Sequence, residues 1–174
     1  MPAKNIVLVT GASSGIGAAI SKKFSSQNYQ VILSSRSKDK LINLNKELSN
    51  LGYKSHVIPC DVTKEDDIKN LYKESSKIGF VNCIINNAGF GFSGLFLDSS
   101  MQNYQDMLNV NMYSLTKLTH LFLKDMVDKG SGGIINISSL ASYQPMPYFG
   151  IYAATKSYVT SFTIALYEEY KDQG

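Results

Sequence analysis

Residues 5–17 read Asn-Ile-Val-Leu-Val-Thr-Gly-Ala-Ser-Ser-Gly-Ile-Gly, an apolar strand pattern over Ile6–Thr10 that runs straight into a loop with glycines at 11, 15 and 17. The helical pattern Ala18-Ala19-Ile20 to Phe24 follows at once. Strand, glycine turn and helix in this order are how α/β proteins bring a pyrophosphate to a helix N-terminus, where the first-turn N–H groups lack intrahelical partners. Gly11 allows the tight turn, Gly15 keeps a Cβ away from the phosphates, and Gly17 lets helix pack on strand. Ser13, Ser14 and Ile16 complete the expected cradle. A plain strand–turn–helix corner built of small residues is the alternative.

The spacing Gly-x-x-x-Gly-x-Gly differs from the Gly-x-Gly-x-x-Gly of two-domain dehydrogenases. It is not a Walker loop either, because no Lys-Ser/Thr follows the last glycine. Beyond the loop, strand patterns occupy 30–35, 53–59, 80–86 and 133–138. Helical patterns occupy 16–26, 38–51, 64–77, 100–129 and 151–171. Repeated strand–helix units with apolar strands predict an α/β, doubly wound (Rossmann) parallel sheet with right-handed crossovers. Five strands are counted. Such a sheet normally continues after its last crossover helix, so the expectation is one domain over 1–174 with its C-terminal strands missing and the fifth strand as an open edge.

The 174 residues, 44% of them hydrophobic, suit one domain with a full core. A net charge of +3 on scattered lysines gives no nucleic-acid footprint. No apolar run approaches a membrane span or a signal peptide, which sets the expectation of no membrane partner and a cytoplasmic location. Cys60 and Cys83 lie in strand-like apolar runs and are expected to be buried thiols. His56 and His120 have no Cys or His at ligand spacing, so no metal is expected.

Tyr152-Ala-Ala-Thr-Lys156 places a phenol and an ammonium on one helical face. A neighbouring ammonium favours the phenolate; bringing a phenol to neutrality takes about 4 kcal/mol of preferential stabilisation. With 11 tyrosines and a lysine-rich composition, about one such pair arises by chance, and Tyr113-Ser-Leu-Thr-Lys117 is a competitor. Each tyrosine even has a serine thirteen residues upstream, Ser139 and Ser100. Ser139 follows the fifth strand, where open α/β sheets bind ligands. Ser100 looks like a helix N-cap, and Tyr113 lies deep in its helix. The set Ser139/Tyr152/Lys156 is therefore preferred.

Three further segments follow strand ends. Asn86-Asn87-Ala88-Gly89 offers small residues across which a flat cofactor can lie, or a simple turn. Cys60-Asp61-Val62 offers Asp61 to an adenine amino group, or as a cap for the helix near Lys64. Leu33-Ser34-Ser35-Arg36 ends the second strand, where NAD-selective sites carry an acid for the ribose 2′-hydroxyl. Here the position holds serines and Arg36, the only arginine of the chain. A guanidinium suits a 2′-phosphate, which favours NADP(H) over NAD(H).

Taken together, the glycine loop, Asp61-Val62, Asn86-Asn-Ala-Gly89, Asn111, Ser139 and Tyr152-x-x-x-Lys156 resemble the short-chain dehydrogenase/reductase family along the whole chain. The resemblance implies hydride transfer between nicotinamide C4 and a carbonyl or alcohol carbon of a small-molecule substrate. It implies Tyr152 as general acid/base and Ser139 holding the substrate oxygen. Lys156 would tune the phenol and bind the nicotinamide ribose, and Asn111 would anchor a relay water. Asn is a mildly unfavourable choice inside a helix, which itself suggests a purpose for Asn111. Family members usually continue with another strand, a substrate-covering loop and helix, and a final strand. This chain is thus expected to lack the substrate lid. Helices 100–129 and 151–171 would build a homo-oligomer interface. The alternative function is an NADP(H)-binding scaffold without turnover. Phe90, Phe92, Leu95 and Phe96, with Tyr143, Met146, Tyr148 and Phe149, either line an apolar pocket or pack into the core.

Overall fold

The computed structural model describes residues 5–174. Its five strands are β1 Ile6–Thr10, β2 Gln30–Ser34, β3 Ser55–Val57, β4 Val81–Asn86 and β5 Gly133–Asn136. They form one sheet in the order β3-β2-β1-β4-β5, every neighbouring pair parallel. Five helices alternate with them: α1 Gly15–Ser26, α2 Lys38–Asn50, α3 Glu65–Ile78, a long helix from Met101 to Lys129, and α6 Gly150–Tyr170. The doubly wound sheet expected from the alternation is present, with β5 paired only to β4.

Successive side chains of a strand point to opposite faces, and β1 shows the consequence. Ile6 and Leu8 join Ile32, Ile84, Ile68, Leu71, Leu118 and Phe122 in one core. Val7 and Val9 join Val31, Leu33, Ile85, Leu41, Leu44 and Leu48 in the other. α3 and the long helix cover the first face; α1 and α2 cover the second. Each such fully buried side chain stabilises the fold by about 1.5–3 kcal/mol.

Two elements depart from the sequence pattern. The strand expected over 53–59 narrows to Ser55–Val57. Ile58 and Cys60 still donate to the Leu33 and Ser35 carbonyls, so the chain runs on beside β2, and Pro59 between them falls on the open-edge side where no ladder N–H is needed. The helix expected over 100–129 is divided into α4 Met101–Leu108, a π turn over Asn109–Ser114, and α5 Leu115–Lys129. Ser100 caps α4 by accepting the Asn103 N–H (3.1 Å), as its competitor role required. In the π turn, the Ser114 hydroxyl contacts the Asn109 carbonyl at 2.8 Å and the Val62 carbonyl, which ties this turn to the segment after β3. Single π turns inside α-helices concentrate at functional sites, and this one carries Asn111.

Candidate functional site

The strand order reverses between β1 and β4, so the chain leaves these neighbours in opposite directions and opens a crevice beyond their carboxyl ends. A cleft of ≈ 670 Å³ lies there, within the range of small-molecule sites. Its walls include Gly11, Ser13, Ser14 and Ile16 from the first turn, Arg36 after β2, Asp61 and Val62 after β3, Asn87, Ala88 and Gly89 after β4, and Tyr152 and Lys156 of α6. Residues spread over 146 positions of sequence thus meet at one sheet edge because five strand ends meet there.

The glycine loop is built for close approach. Gly11 adopts φ +65°, and a Cβ on it would stand 2.8 Å from Asn87 Nδ2. A Cβ on Gly17 would run into the Gly11 carbonyl oxygen, so α1 seats against the loop only with glycine there. Gly15 and Gly17 do not line the cleft; Gly15 faces open space and Gly17 is buried behind the loop. Ser14 precedes α1 with no side-chain capping bond, leaving the first-turn N–H groups of α1 to whatever occupies the cleft. Thr10, which the sequence reading did not assign to the site, fixes the facing loop. Its buried hydroxyl accepts the N–H groups of Asn87 (3.0 Å) and Ala88 (3.1 Å). Its signal was visible as the single polar residue closing an otherwise apolar strand.

Burial disfavours ionisation of Asp61. Even so, hydrogen bonds from Thr63 N and Oγ1 and the charges of Arg36 and Lys64 hold its carboxyl below the usual range. The Thr63 bonds (3.1 and 2.8 Å) make Asp61 the anchor of its own turn. α3 begins only at Glu65, with Lys64 as its capping position, so the capping alternative for Asp61 is not what the structure forms. Arg36 and Asp61 therefore sit at one end of the cleft, opposite in charge. No acid follows β2 before Asp39, which lies in α2.

At the other end, Lys156 is 6% exposed and its Nζ donates to the Ile137 carbonyl at 2.8 Å. Burial lowers its pKa below that of an ordinary lysine. The ammonium lies 5.8 Å from the centroid of the Tyr152 ring. The competitor pair has nearly the same spacing, Lys117 Nζ lying 6.0 Å from the Tyr113 ring centroid, but it stands outside the cleft. Lys117 bonds to Glu65 at the surface, and Tyr113 is 60% exposed.

Asn111 is buried behind the cleft rather than in its wall. Its Nδ2 donates to the Phe90 carbonyl (2.9 Å) and to Thr155 Oγ1 (3.0 Å), and its Oδ1 accepts the Phe90 N–H (3.1 Å). Both amide hydrogens are thus committed. Ser139 is not a wall residue either; its Oγ accepts the Ala141 N–H at 3.2 Å and caps the short turn Leu140–Ser142. Its neighbour Ser138 lines the cleft and contacts Thr160 Oγ1 (2.7 Å) and the Lys156 carbonyl (3.1 Å). Phe90 and Phe149 belong to the cleft wall; Phe92, Phe96, Met146 and Tyr148 instead line a separate ≈ 210 Å³ cavity beside it.

The arrangement fits a dinucleotide: an uncapped helix start at the crevice, a cationic end at Arg36, and a phenol and ammonium at the far end. No helix among the described residues is long and apolar enough to cross a membrane.

A family model described as short chain dehydrogenase matches residues 5–174. The chain is 34% identical over 171 residues to hydroxysteroid dehydrogenase-like protein 1 of Gallus gallus, covering 96% of this chain and 51% of that protein. It is also 34% identical over 172 residues to very-long-chain 3-oxoacyl-CoA reductase of Anas platyrhynchos, covering 96% and 55% respectively. Among solved structures it resembles a short-chain dehydrogenase from Sphingobium yanoikuyae in complex with NADPH, at TM-score 0.93 and 30% identity, covering 98% of this chain and 67% of that one. The chain spans about half the length of the curated relatives it matches.

Proposed function

Because the chain belongs to the short-chain dehydrogenase family, we propose that it transfers a hydride between NADP(H) and a carbonyl or alcohol carbon, with Tyr152 moving the proton. The observation that carries this reading is the convergence of Tyr152 and Lys156 with Arg36 and the open start of α1 on a single cleft.

NADPH held there would supply the hydride that the carbonyl carbon accepts. The protein's part is to bind, orient and handle the proton. The first-turn N–H groups of α1 and the Gly11–Ile16 loop take the pyrophosphate. Arg36 takes the 2′-phosphate, which is the ground for NADP(H) over NAD(H); the Sphingobium neighbour, solved with NADPH, supports the same choice. Asp61 and Val62 border the adenine end, and Asn87, Ala88 and Gly89 the middle. Tyr152 gives its phenolic proton to the carbonyl oxygen as the alcohol forms, and Lys156 stabilises the charge left on the phenol oxygen. The Ser139 hydroxyl stands one residue beyond the cleft-lining Ser138 and uses only an acceptor position at Ala141, so in this reading its hydrogen is kept for a substrate oxygen that reaches past the cleft wall. Asn111, its side-chain hydrogens occupied, keeps the remaining Oδ1 lone pair or its main chain for a relay water.

Assembly of copies through the long helix and α6 belongs to the same reading. It is supported by exposed Leu108, Tyr113, Ile164 and Tyr167 on those helices.

The test screens ketones and aldehydes with NADPH against the parent protein and Tyr152→Phe. NADPH oxidation by the parent, lost by at least ~100-fold in the variant, is the expected result. Equal inactivity of both, with NADPH still raising the melting temperature, replaces the enzyme with a nucleotide-binding scaffold.

A further inference from the structure

The three residues after Ala88 touch three different members of the proposed catalytic set. A Cβ on Gly89 would lie 3.0 Å from Asn111 Oδ1 and 3.6 Å from Lys156 Nζ. Phe90 exchanges two backbone hydrogen bonds with the Asn111 amide, at 3.1 and 2.9 Å. A Cβ on Gly91 would lie 2.8 Å from Tyr152 Cδ2, 3.1 Å from Cγ and 3.2 Å from Cε2. Carbon atoms in ordinary contact stand about 3.5–4.0 Å apart, so the Tyr152 ring occupies the space a Gly91 side chain would need, and not even a methyl group fits.

The ring has neighbours on other sides too. Phe149 lies tilted against it at 6.2 Å between centroids, and the Lys156 ammonium is 5.8 Å from its centre. Its backbone is tied back to the same assembly. Thr155 Oγ1 accepts from Asn111 Nδ2 (3.0 Å) and donates to the Tyr152 carbonyl (2.7 Å). The segment 89–91 is itself anchored at its start, because Thr10 holds Asn87 and Ala88 against the end of β1.

We infer that Gly89-Phe90-Gly91 is a strap that sets the position of the catalytic side chains, with Gly91 acting as a positioning residue for the Tyr152 ring. The strap carries no reacting group. It transmits the location of the β4 end, where the nucleotide lies, to the phenol on α6. Absence of a side chain at 91 is what lets the ring stand at its place, and a methyl group there would push the phenol aside. A displacement on the order of 1 Å is enough to cost about 100-fold in rate. This inference rests on Tyr152 being the proton donor of the proposed reaction.

The experiment compares Gly91→Ala in two backgrounds, the parent protein and Tyr152→Ala, as complexes with NADPH. In the parent background the variant is expected to lower Tm by about 5 °C, from overpacking against the ring. In the Tyr152→Ala background, where the ring is gone, it should lower Tm by no more than about 1 °C. In turnover, Gly91→Ala should reduce kcat at least ~10-fold, with KM for NADPH changed less than about 3-fold. Equal Tm losses in the two backgrounds, or an unaltered kcat, overturn the inference. Should Gly91→Ala fail to fold, recovery of folding by the added Tyr152→Ala supports the contact, and failure in both backgrounds overturns it. A parent protein that turns over no carbonyl substrate, with the Tm coupling intact, overturns the reductase reading and the positioning role with it, while the ring contact itself stands.

Discussion

Lys156 Nζ donates to the carbonyl oxygen of Ile137 at 2.8 Å, which fixes a buried ammonium to the chain just beyond β5. Ile137 N–H in turn donates to the Asn86 carbonyl at 3.0 Å, so the charge is referenced to two strand ends at once. Lys156→Met keeps the apolar stem and removes the charge. Removing a buried ion relieves its desolvation, while leaving the Ile137 oxygen unpaired costs about 1–3 kcal/mol, so the net stability change is expected to stay within about 2 kcal/mol. Carbonyl reduction, in contrast, should fall by at least ~100-fold. Denaturant midpoints and kcat/KM measured on the same preparation check this. Retained kcat/KM would remove Lys156 from the mechanism.

Arg36 gives the second prediction. It follows β2 at the cleft wall, and its charge is one of those holding Asp61 ionised. Arg36→Asp replaces an attraction for a 2′-phosphate with a repulsion and adds a second negative charge near Asp61. NADPH affinity should drop at least ~10-fold more than NADH affinity, as read by fluorescence titration. An equal loss for both nucleotides contradicts the assignment of Arg36 to the 2′-phosphate.

How much of this was legible in the sequence depends on whether the controlling contacts are local. The glycine loop was legible because strand, turn and helix lie within about twenty residues, and Gly11 and Gly17 meet each other. That Tyr152 and Lys156, and not Tyr113 and Lys117, lie at the cleft was legible because position relative to strand ends separates the pairs. The π turn was not. Asn111 is held by Phe90, 21 residues away, and by Thr155, 44 residues away, and Ser114 reaches Val62. Helical periodicity over 100–129 carries no trace of those partners. Which of Ser138 and Ser139 faces the cleft was equally hidden, since it depends on how the backbone turns after β5 ends at Asn136. The close seat of Gly91 on the Tyr152 ring is likewise a tertiary fact, which a glycine in a Gly/Phe-rich loop does not announce.

Thr10 offers a prediction about stability. Its hydroxyl accepts two backbone N–H groups, Asn87 and Ala88, and donates to the Ile85 carbonyl at 3.2 Å, all in the interior. Thr10→Val preserves the shape and strands these partners. At about 1–3 kcal/mol for an unsatisfied buried group, a loss of about 2 kcal/mol or more is expected from urea unfolding. Thr10→Ser, which keeps the oxygen, should recover most of it. A Val variant as stable as the parent would show that the 87–88 loop does not depend on this hydroxyl.

The last prediction concerns alkaline pH. Burial pushes the Cys60 thiol up to about 12, helped by the charges of Asp67 and Asp61, and burial alone pushes Cys83 to about 11, both from an ordinary value of 9.0. Between pH 9 and these values the unfolded chain has released thiol protons that the folded chain still holds. The folded state is therefore the more protonated one, and its stability falls as pH rises through this window. Lys156 works in the opposite direction. Its pKa is lowered by burial from 10.5, so its contribution rises with pH and is complete above that value. The thiol contribution is isolated by Cys60→Ala/Cys83→Ala, which retains Lys156. Tm of the parent should decline more steeply than that of the double variant between pH 9 and pH 11. Parallel curves would mean that neither thiol stays protonated in the folded chain.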